Sequence, residues 1–147
     1  MWRLVIFQAL QIEKKMKYLE DYNKNEINNI IKKNGGFFAF NNDQFNKNKK
    51  DGVKYCRLYS GLIVPKNKVD YILKKIDKAT KKAIKQDIND NGIKKIVFRD
   101  CSNLELQFNY DGLNEIISYL KDYNFNKKDI KKYYDQYIKY CIKNDIY

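Results

Sequence analysis

The sequence predicts an α+β fold in which about five helices cover a short antiparallel or mixed sheet of about three to four strands. Stretches in which apolar residues recur at helical spacing alternate with short apolar runs that Gly, Asn and Pro bound. No Gly-rich phosphate-binding loop connects a strand to a helix, and the last two predicted strands are close enough in sequence for a hairpin. These observations favour an antiparallel or mixed sheet over a doubly wound parallel one.

The first third of the chain is predicted to contain two helices and one strand. Apolar residues at near-helical spacing predict a helix over residues 17–33, and the Asn-Gly-Gly sequence that follows is a typical end for it. The apolar run at residues 37–40 is typical of a buried strand. Asn41 and Gln44 have the spacing of a capping box, which predicts a short helix over residues 42–50.

The middle of the chain is predicted to form a hairpin arm and then the longest helix. Residues 53–59 and 62–64, which a Ser-Gly pair separates, predict a bent strand or the arm of a hairpin. Residues 67–90 carry one apolar stripe at helical spacing, and Asn91-Gly92 is expected to end this helix. The stripe consists of Val69, Ile72, Leu73, Ile76, Thr80, Ala83, Ile84 and Ile88.

The rest of the chain is predicted to contain two strands and two helices. Residues 93–99 are rich in β-branched and aromatic side chains, and residues 104–110 alternate apolar with polar side chains, so a strand is expected in each. Asp111 is expected to begin the next helix, and Asn126 to begin the last one.

A chain of 147 residues fits one domain with one core better than two. Residues 1–15 only loosely resemble a signal peptide, because glutamines interrupt a short apolar run and charged residues follow it. We therefore expect residues 1–15 to be an N-terminal extension and residues 16–147 to form a single compact α+β domain. No stretch approaches the ~20 apolar residues of a membrane span, so no membrane partner is expected.

The chain contains no histidine, the commonest general base and metal ligand in proteins. A serine triad and a cysteine-histidine dyad are therefore excluded. Cys56, Cys101 and Cys141 are far apart and lack C-x-x-C spacing, so we expect free thiols in a reducing compartment. Asp100 and Glu105 flank the predicted turn between the last two strands and are expected to be solvated. The sequence thus predicts a protein that is not an enzyme and that needs no metal and no cofactor.

A formal net charge of +12 favours binding to phosphate polyanions or to acidic proteins. Between residues 66 and 99, eleven basic residues stand against four acidic ones. On a helical projection of residues 67–90, six lysines form a face opposite the apolar stripe, which we call the lysine ridge. The lysine ridge consists of Lys74, Lys75, Lys78, Lys81, Lys82 and Lys85.

Two interpretations of the lysine ridge are open. One is an ordinary solvated face, because Lys, Asn, Ile and Tyr are abundant and only three Arg are present, as AT-rich codons favour. The other is a contact surface for a phosphate backbone or for an acidic protein partner. Lysine fits delocalised attraction better than the sequence-specific reading of bases, for which arginine is the usual residue.

Four segments of the chain carry a resemblance to known proteins, namely GGFFAF at 35–40, QF at 44–45, GLIVPK at 61–66 and YCIKN at 140–144. Together they resemble a family of small proteins encoded by phages and mobile elements, over most of the chain after Met16. In size, basicity and lack of catalytic residues, the chain also resembles anti-CRISPR proteins, among them inhibitors of the RNA-guided RNase Cas13a.

This resemblance implies a non-catalytic binder in the cytoplasm of a bacterial host cell, which binds and inhibits a defence ribonucleoprotein. Its partner would be a bacterial ribonucleoprotein or an acidic protein surface, with RNA as a further partner. The alternative is an accessory protein that binds RNA or DNA irrespective of sequence. In both cases the lysine ridge is the expected contact surface.

Overall fold

The computed structural model describes residues 16–146, so the predicted extension over residues 1–15 lies outside the described part. The described residues group into two compact units. We call residues 19–83 the sheet unit, and residues 16–18 together with 84–146 the helical unit. Helices and a small three-stranded antiparallel sheet make up the fold, so the predicted α+β class is confirmed. A single compact domain over residues 16–147 stays a prediction.

The sheet unit contains three helical segments and all three strands. They are α1 (Leu19–Lys33), β1 (Phe37–Phe38), α2 (Asn42–Asn48), β2 (Tyr55–Arg57), β3 (Leu62–Pro65) and the first part of α3 (Val69–Asn103). The strand order is β1-β3-β2, and both pairs are antiparallel, as the register of each pair shows. Of the two alternatives for residues 53–64, a bent strand or the arm of a hairpin, the structure has the hairpin. Because β3 lies between two strands, all four of its residues are buried.

The core of the sheet unit lies between the central strand and two helices. Buried Leu62 and Val64 of β3 pack with Ile31 of α1 and Ile72 of α3. Gly35 adopts a φ of +76°, a left-handed conformation that glycine reaches without a steric cost, and α1 ends just before it as predicted. The first turns of the apolar stripe, Val69, Ile72 and Ile76, thus pack α3 against the sheet.

The first strand is shorter and less buried than predicted. Only Phe37 and Phe38 pair with β3, and the side chains of Phe38 and Phe40 are exposed, whereas Ala39 is fully buried. Successive side chains of an extended segment point to opposite faces, so a run of four apolar residues here supplies only one buried face.

The capping box before α2 is present. The backbone N–H of Gln44 donates to Oδ1 of Asn41 at 2.8 Å. The side chain of Gln44 in turn accepts a hydrogen bond of 2.7 Å from the backbone N–H of Phe40. These bonds satisfy two backbone donors at the start of a helix, which ends at Asn48 rather than at residue 50.

The predicted strand over residues 93–99 is wrong, because a second helical stretch of α3 follows Asn91-Gly92, where the first stretch ends as predicted. Gly92, with φ 75° and ψ 164°, is a kink that separates two helical stretches of α3, the second of which runs to Asn103. Ile96, Val97 and Cys101 of the continued helix are fully buried. Their i, i+1 and i+5 spacing lies on one helical face, and this periodicity prevails over the β-branched composition.

The predicted strand over residues 104–110 is also wrong. The segment forms a turn and a short 3-10 helix, Leu106–Phe108. Leu106 is fully buried, but Phe108 and Tyr110 are exposed, so the alternation of apolar residues does not correspond to one buried face. The sheet therefore has three strands, all of them in the sheet unit.

The remaining elements of the helical unit are α4 (Gly112–Tyr119), a 3-10 turn (Lys121–Tyr123) and α5 (Lys127–Lys143). Asn126 begins α5 as predicted, since its Oδ1 accepts the backbone N–H of Lys128 at 2.8 Å. Buried Ile130, Tyr137 and Cys141 share the inner face of α5. No helix between residues 16 and 146 has both the length and the apolar character that crossing a membrane requires.

Candidate functional site

All six side chains of the lysine ridge are exposed on α3. Five of them, between residues 74 and 82, belong to the sheet unit, whereas Lys85 belongs to the helical unit. On the opposite face of the same stretch, Ile72, Ala79 and Ala83 are buried. The helix thus presents the lysines to solvent.

One ridge lysine is already paired. The Nζ of Lys81 lies 2.8 Å from Oδ2 of Asp77, one helical turn earlier, and both side chains are well exposed. The hydrogen bond and the charge of Asp77 raise the pKa of Lys81 above its ordinary value. Among the ion pairs of residues 16–146, this is the one that includes a ridge residue. Lys81 is therefore the ridge lysine least suited to an additional anion.

Tyr71 connects the ridge to the start of the helix. The Nζ of Lys75 lies 5.5 Å from the centroid of the Tyr71 ring, and the Nζ of Lys68 lies 5.7 Å from it. The ring attracts both cations through its negative π-face, and the tyrosine itself is 50% exposed. Lys68, Tyr71 and Lys75 thus form a cationic and aromatic surface at the N-terminal end of α3.

A groove of about 600 Å³ opens in the sheet unit next to this surface. It lies between the end of α1, the loop before β2 and the turn after β3, and Lys68 contributes to it. We call it the lysine groove. Its lining consists of Asn34, Gly35, Lys50, Gly52, Val53, Lys54, Tyr55, Pro65, Lys66, Asn67 and Lys68. Four of these eleven residues are lysines and none is acidic.

Strand pairing brings the two sides of the lysine groove together. Tyr55 at the start of β2 is opposite Pro65 at the end of β3. The backbone N–H of Lys66 then donates to the carbonyl of Lys54 at 2.8 Å, which extends the pairing into the loops. Antiparallel pairing places the segment before one strand beside the segment after the other, so lysines from both segments meet.

Tyr55 is held rigidly at the wall of the groove. Its ring packs edge-on against Phe37 at 5.4 Å and against Phe45 at 5.8 Å between centroids. Its hydroxyl oxygen accepts the backbone N–H of Lys50 at 3.0 Å. Because a hydroxyl group can donate as well as accept, the hydrogen of Tyr55 remains to be donated to another group.

Sequence reasoning did not find the groove lysines, Lys50, Lys54, Lys66 and Lys68. A signal for them was present, because a hairpin was one of the two alternatives for residues 53–64, and lysines occupy the chain just before its first strand and just after its second. Residues that flank paired antiparallel strands in this way must lie close together.

A second polar cluster lies buried in the helical unit. The guanidinium group of Arg99 contacts the carboxylates of Asp87 and Asp100, and the hydroxyl of Tyr123 donates to Asp87 at 2.5 Å. The expectation that Asp100 is a solvated turn residue is wrong, because α3 continues past Gly92 and carries Asp100 into the interior. Among residues 16–146, no buried side-chain nitrogen or oxygen lacks a hydrogen-bond partner. This cluster is therefore built as a structural network.

Residues 16–146 contain no group of three or more His, Cys, Asp or Glu side chains placed to hold a metal ion. Residues 17–140 match a family described as a family of unknown function (DUF7659). The chain matches no curated protein and no solved structure. The family match includes both the lysine ridge and the lysine groove. The resemblance to phage proteins and to anti-CRISPR proteins stays a prediction.

Proposed function

Since the chain belongs to the DUF7659 family, whose function is unknown, we propose its function from its basic surface: it is a non-catalytic protein that binds single-stranded RNA or DNA irrespective of sequence. One observation carries the proposal. Lys68 and Lys75 lie on the ring of Tyr71, so the lysine groove and the lysine ridge adjoin within the sheet unit.

The charge of this surface suits a polyanion. The sheet unit contributes the four groove lysines and four ridge lysines other than the paired Lys81. Each lysine that neutralises a phosphate releases condensed counterions, which is the main source of sequence-indifferent affinity. An ammonium group is a point charge without the fork geometry of arginine, so it attracts phosphates without distinguishing bases.

An exposed aromatic ring between cations favours a single strand over a duplex. Unpaired bases stack on aromatic side chains, whereas the bases of a duplex are already stacked on one another. Tyr71 is 50% exposed, and the Nζ atoms of Lys68 and Lys75 lie over its ring. A base that stacks on the ring would displace one of these flexible side chains, which can then pair with an adjoining phosphate.

The test is the binding of a 5′-hydroxyl, fluorescently labelled oligouridine RNA, measured by anisotropy at about 0.1 M salt. The variant Lys74→Glu/Lys78→Glu/Lys82→Glu changes the ridge. Each phosphate contact contributes about 0.7 logarithmic units of affinity for every tenfold decrease in salt concentration below about 1 M. At about 0.1 M salt, the loss of three contacts therefore predicts an affinity about a hundredfold weaker.

The matched control changes the net charge equally at exposed positions of α5, as Lys127→Glu/Lys128→Glu/Lys139→Glu. We expect it to weaken binding by less than about threefold, because these three lysines belong to neither the lysine ridge nor the lysine groove. Equal losses in both triple variants, or no binding by the unchanged protein at low salt, would contradict the proposal.

Inhibition of a bacterial defence ribonucleoprotein is the second candidate function, and it places the chain in the cytoplasm of a bacterial host cell. An exposed aromatic patch favours a protein contact in addition to phosphates. Phe38, Phe40 and Tyr59 are 45%, 70% and 61% exposed. Phe38 is opposite Leu62 in the sheet, and the ring of Phe40 lies over Gly61. Aromatic residues of this kind are enriched in the centres of protein interfaces.

The experiment for this candidate is RNA cleavage by guide-loaded Cas13a with increasing amounts of the chain. Inhibition near equimolar amounts is expected, together with its loss in Phe40→Ser/Tyr59→Ser while oligouridine binding is unchanged. Unimpaired cleavage at a tenfold excess of the chain would exclude this target.

A further inference from the structure

We infer that the lysine groove binds an oligophosphate group, as found at the 5′-triphosphate end of an RNA or in a free nucleoside triphosphate. For the RNA end, the inference rests on the proposed function, because it names the part of the strand that the groove takes. For a free nucleotide, it stands independently of strand binding.

The size and the charge of the groove carry the inference. A volume of about 600 Å³ is large enough to hold a small molecule such as an oligophosphate. A phosphodiester of a strand has one negative charge, whereas a terminal triphosphate has about four near neutral pH, because its last phosphate titrates a second time near pH 6. Four lysines around one concavity without an acidic residue therefore match an oligophosphate.

The groove also offers donors that are positioned before a ligand binds. Tyr55 lines the groove, and its hydroxyl accepts the backbone N–H of Lys50, so the same hydroxyl can still donate a hydrogen bond to a ligand. Packing against Phe37 and Phe45 fixes the ring that carries this hydroxyl. At Gly52, a Cβ would have no atom within 4 Å, so a ligand oxygen has open access to the backbone there.

At the rim of the groove, an aromatic ring is available for stacking with the base of a bound nucleotide. Lys68 lines the groove, and its Nζ lies over the half-exposed ring of Tyr71. A nucleotide whose phosphates lie among the groove lysines has this ring nearby for its base. Stacking on an aromatic ring is tolerant of base identity, so we expect little preference among the four nucleotides.

The first measurement is the titration of the full chain with inorganic tripolyphosphate by calorimetry. In Lys54→Ala/Lys66→Ala the dissociation constant should rise about tenfold, because two solvent-exposed ion pairs with the phosphates are lost. The α5 variant Lys127→Ala/Lys128→Ala removes the same charge at exposed positions outside the ridge and the groove, and should change it less than about twofold. Tyr55→Phe keeps the ring packing and should raise it about threefold.

The second measurement separates the two sources. RNAs of one sequence with a 5′-triphosphate or a 5′-hydroxyl end are compared with ATP. A preference of about tenfold for the triphosphate RNA, lost in Lys54→Ala/Lys66→Ala, supports the RNA end as the ligand. Binding of ATP without any RNA binding supports a free nucleotide, and it contradicts the proposed function while the groove assignment stands.

Other outcomes overturn the inference. If both RNAs bind with equal affinity and tripolyphosphate does not compete with them, the groove does not bind an oligophosphate, whereas the proposed strand-binding function is unaffected. Equal tripolyphosphate affinity in Lys54→Ala/Lys66→Ala and in the unchanged protein would also overturn it, provided that both have the same melting temperature. Absence of tripolyphosphate binding at low salt would do the same.

Discussion

Arg99 donates two hydrogen bonds, of 2.8 and 3.0 Å, to the carboxylate of Asp100, the next residue of α3. Neighbouring residues on a helix point in directions about 100° apart, so their side chains seldom meet. The same guanidinium donates to Asp87 at 2.9 Å. Asp87 precedes the interruption at Gly92, whereas Arg99 and Asp100 follow it. The buried arginine therefore connects the two helical stretches on either side of Gly92.

The first prediction concerns this connection. Arg99→Met leaves two buried carboxylates, Asp87 and Asp100, without their cation. Removal of one partner from a buried ionic group is expected to lower the free energy of unfolding by about 3–5 kcal/mol. Urea denaturation followed by circular dichroism measures this loss.

The control for this variant is Lys95→Met, a similar exchange at an exposed position of the same helix. We expect it to change the free energy of unfolding by less than about 0.5 kcal/mol. A loss of less than about 1 kcal/mol in Arg99→Met would show that the buried cluster contributes little to stability.

The second prediction concerns the pH dependence of stability. Burial raises the pKa of Asp100 above its ordinary value of 3.8, even though the hydrogen bonds and the charge of Arg99 act to lower it. The folded state therefore holds this proton more tightly than the unfolded chain does. Ionisation of Asp100 costs stability as the pH rises above 3.8, and the cost is relieved as the pH falls.

Asp100→Asn cannot ionise and so isolates this effect. The stability of the unchanged protein relative to Asp100→Asn should increase as the pH is lowered from about 7 to about 4. Urea denaturation of both proteins at several pH values provides the difference. A difference that decreases over this interval would mean that Arg99 prevails over burial and lowers the pKa of Asp100.

The sequence predicted most of the sheet unit because its signals are local. The capping box at Asn41 and Gln44 and the glycine after α1 depend on residues within one turn. The hairpin follows from two apolar runs with a short break. In each case the contacts that form the element are made between the same residues that make up the sequence pattern.

The helical unit was predicted less well because long-range contacts determine it. Gly92 ends the first helical stretch of α3 as predicted, but a second helical stretch follows it where the sequence favoured a strand. Contacts such as that of Arg99 with Asp87, 12 residues apart, accompany this second stretch. The hydroxyl of Tyr123 comes from 36 residues away and is not visible in any local pattern. Asp87 itself was a signal, because it shares a helical face with Ala83 and Ile84 of the apolar stripe.

The candidate site was predicted in part. The exposed lysines of the ridge follow from helical periodicity, but the lysine groove requires knowing which loops the strands bring together. Asp77 and Lys81 have the i, i+4 spacing that favours an ion pair. The sequence therefore also contained the signal that the charge of Lys81 is partly compensated.

The third prediction concerns the reactivity of the cysteines. Burial, with the nearby charges of Asp100 and Cys141, raises the pKa of Cys101 to about 12. Burial also raises the pKa of Cys141, and the side chains of both cysteines are buried, whereas Cys56 is half-buried. Because the thiolate is the nucleophile, we expect Cys56 alone to react rapidly with a disulfide reagent at about pH 8.

In denaturant, all three thiols should react at similar rates. Cys56→Ser is the control, and it should abolish the rapid reaction of the folded protein. Rapid modification of two or more thiols in the folded protein would contradict the buried positions of Cys101 and Cys141.

The fourth prediction uses two adjacent lysines that differ in pairing. Lys81 is bonded to Asp77, whereas the ion pairs found within residues 16–146 do not include Lys82. If the lysine ridge binds a single strand, Lys82→Ala should reduce the slope of log affinity against log salt by about 0.7. Lys81→Ala should reduce this slope less, because Asp77 already compensates the charge of Lys81.

Asp77→Asn removes the partner of Lys81 and should strengthen oligouridine binding with a steeper slope. Anisotropy titrations between about 0.05 and 0.3 M salt measure all three variants, and equal effects of Lys81→Ala and Lys82→Ala would show that the ridge acts only through net charge.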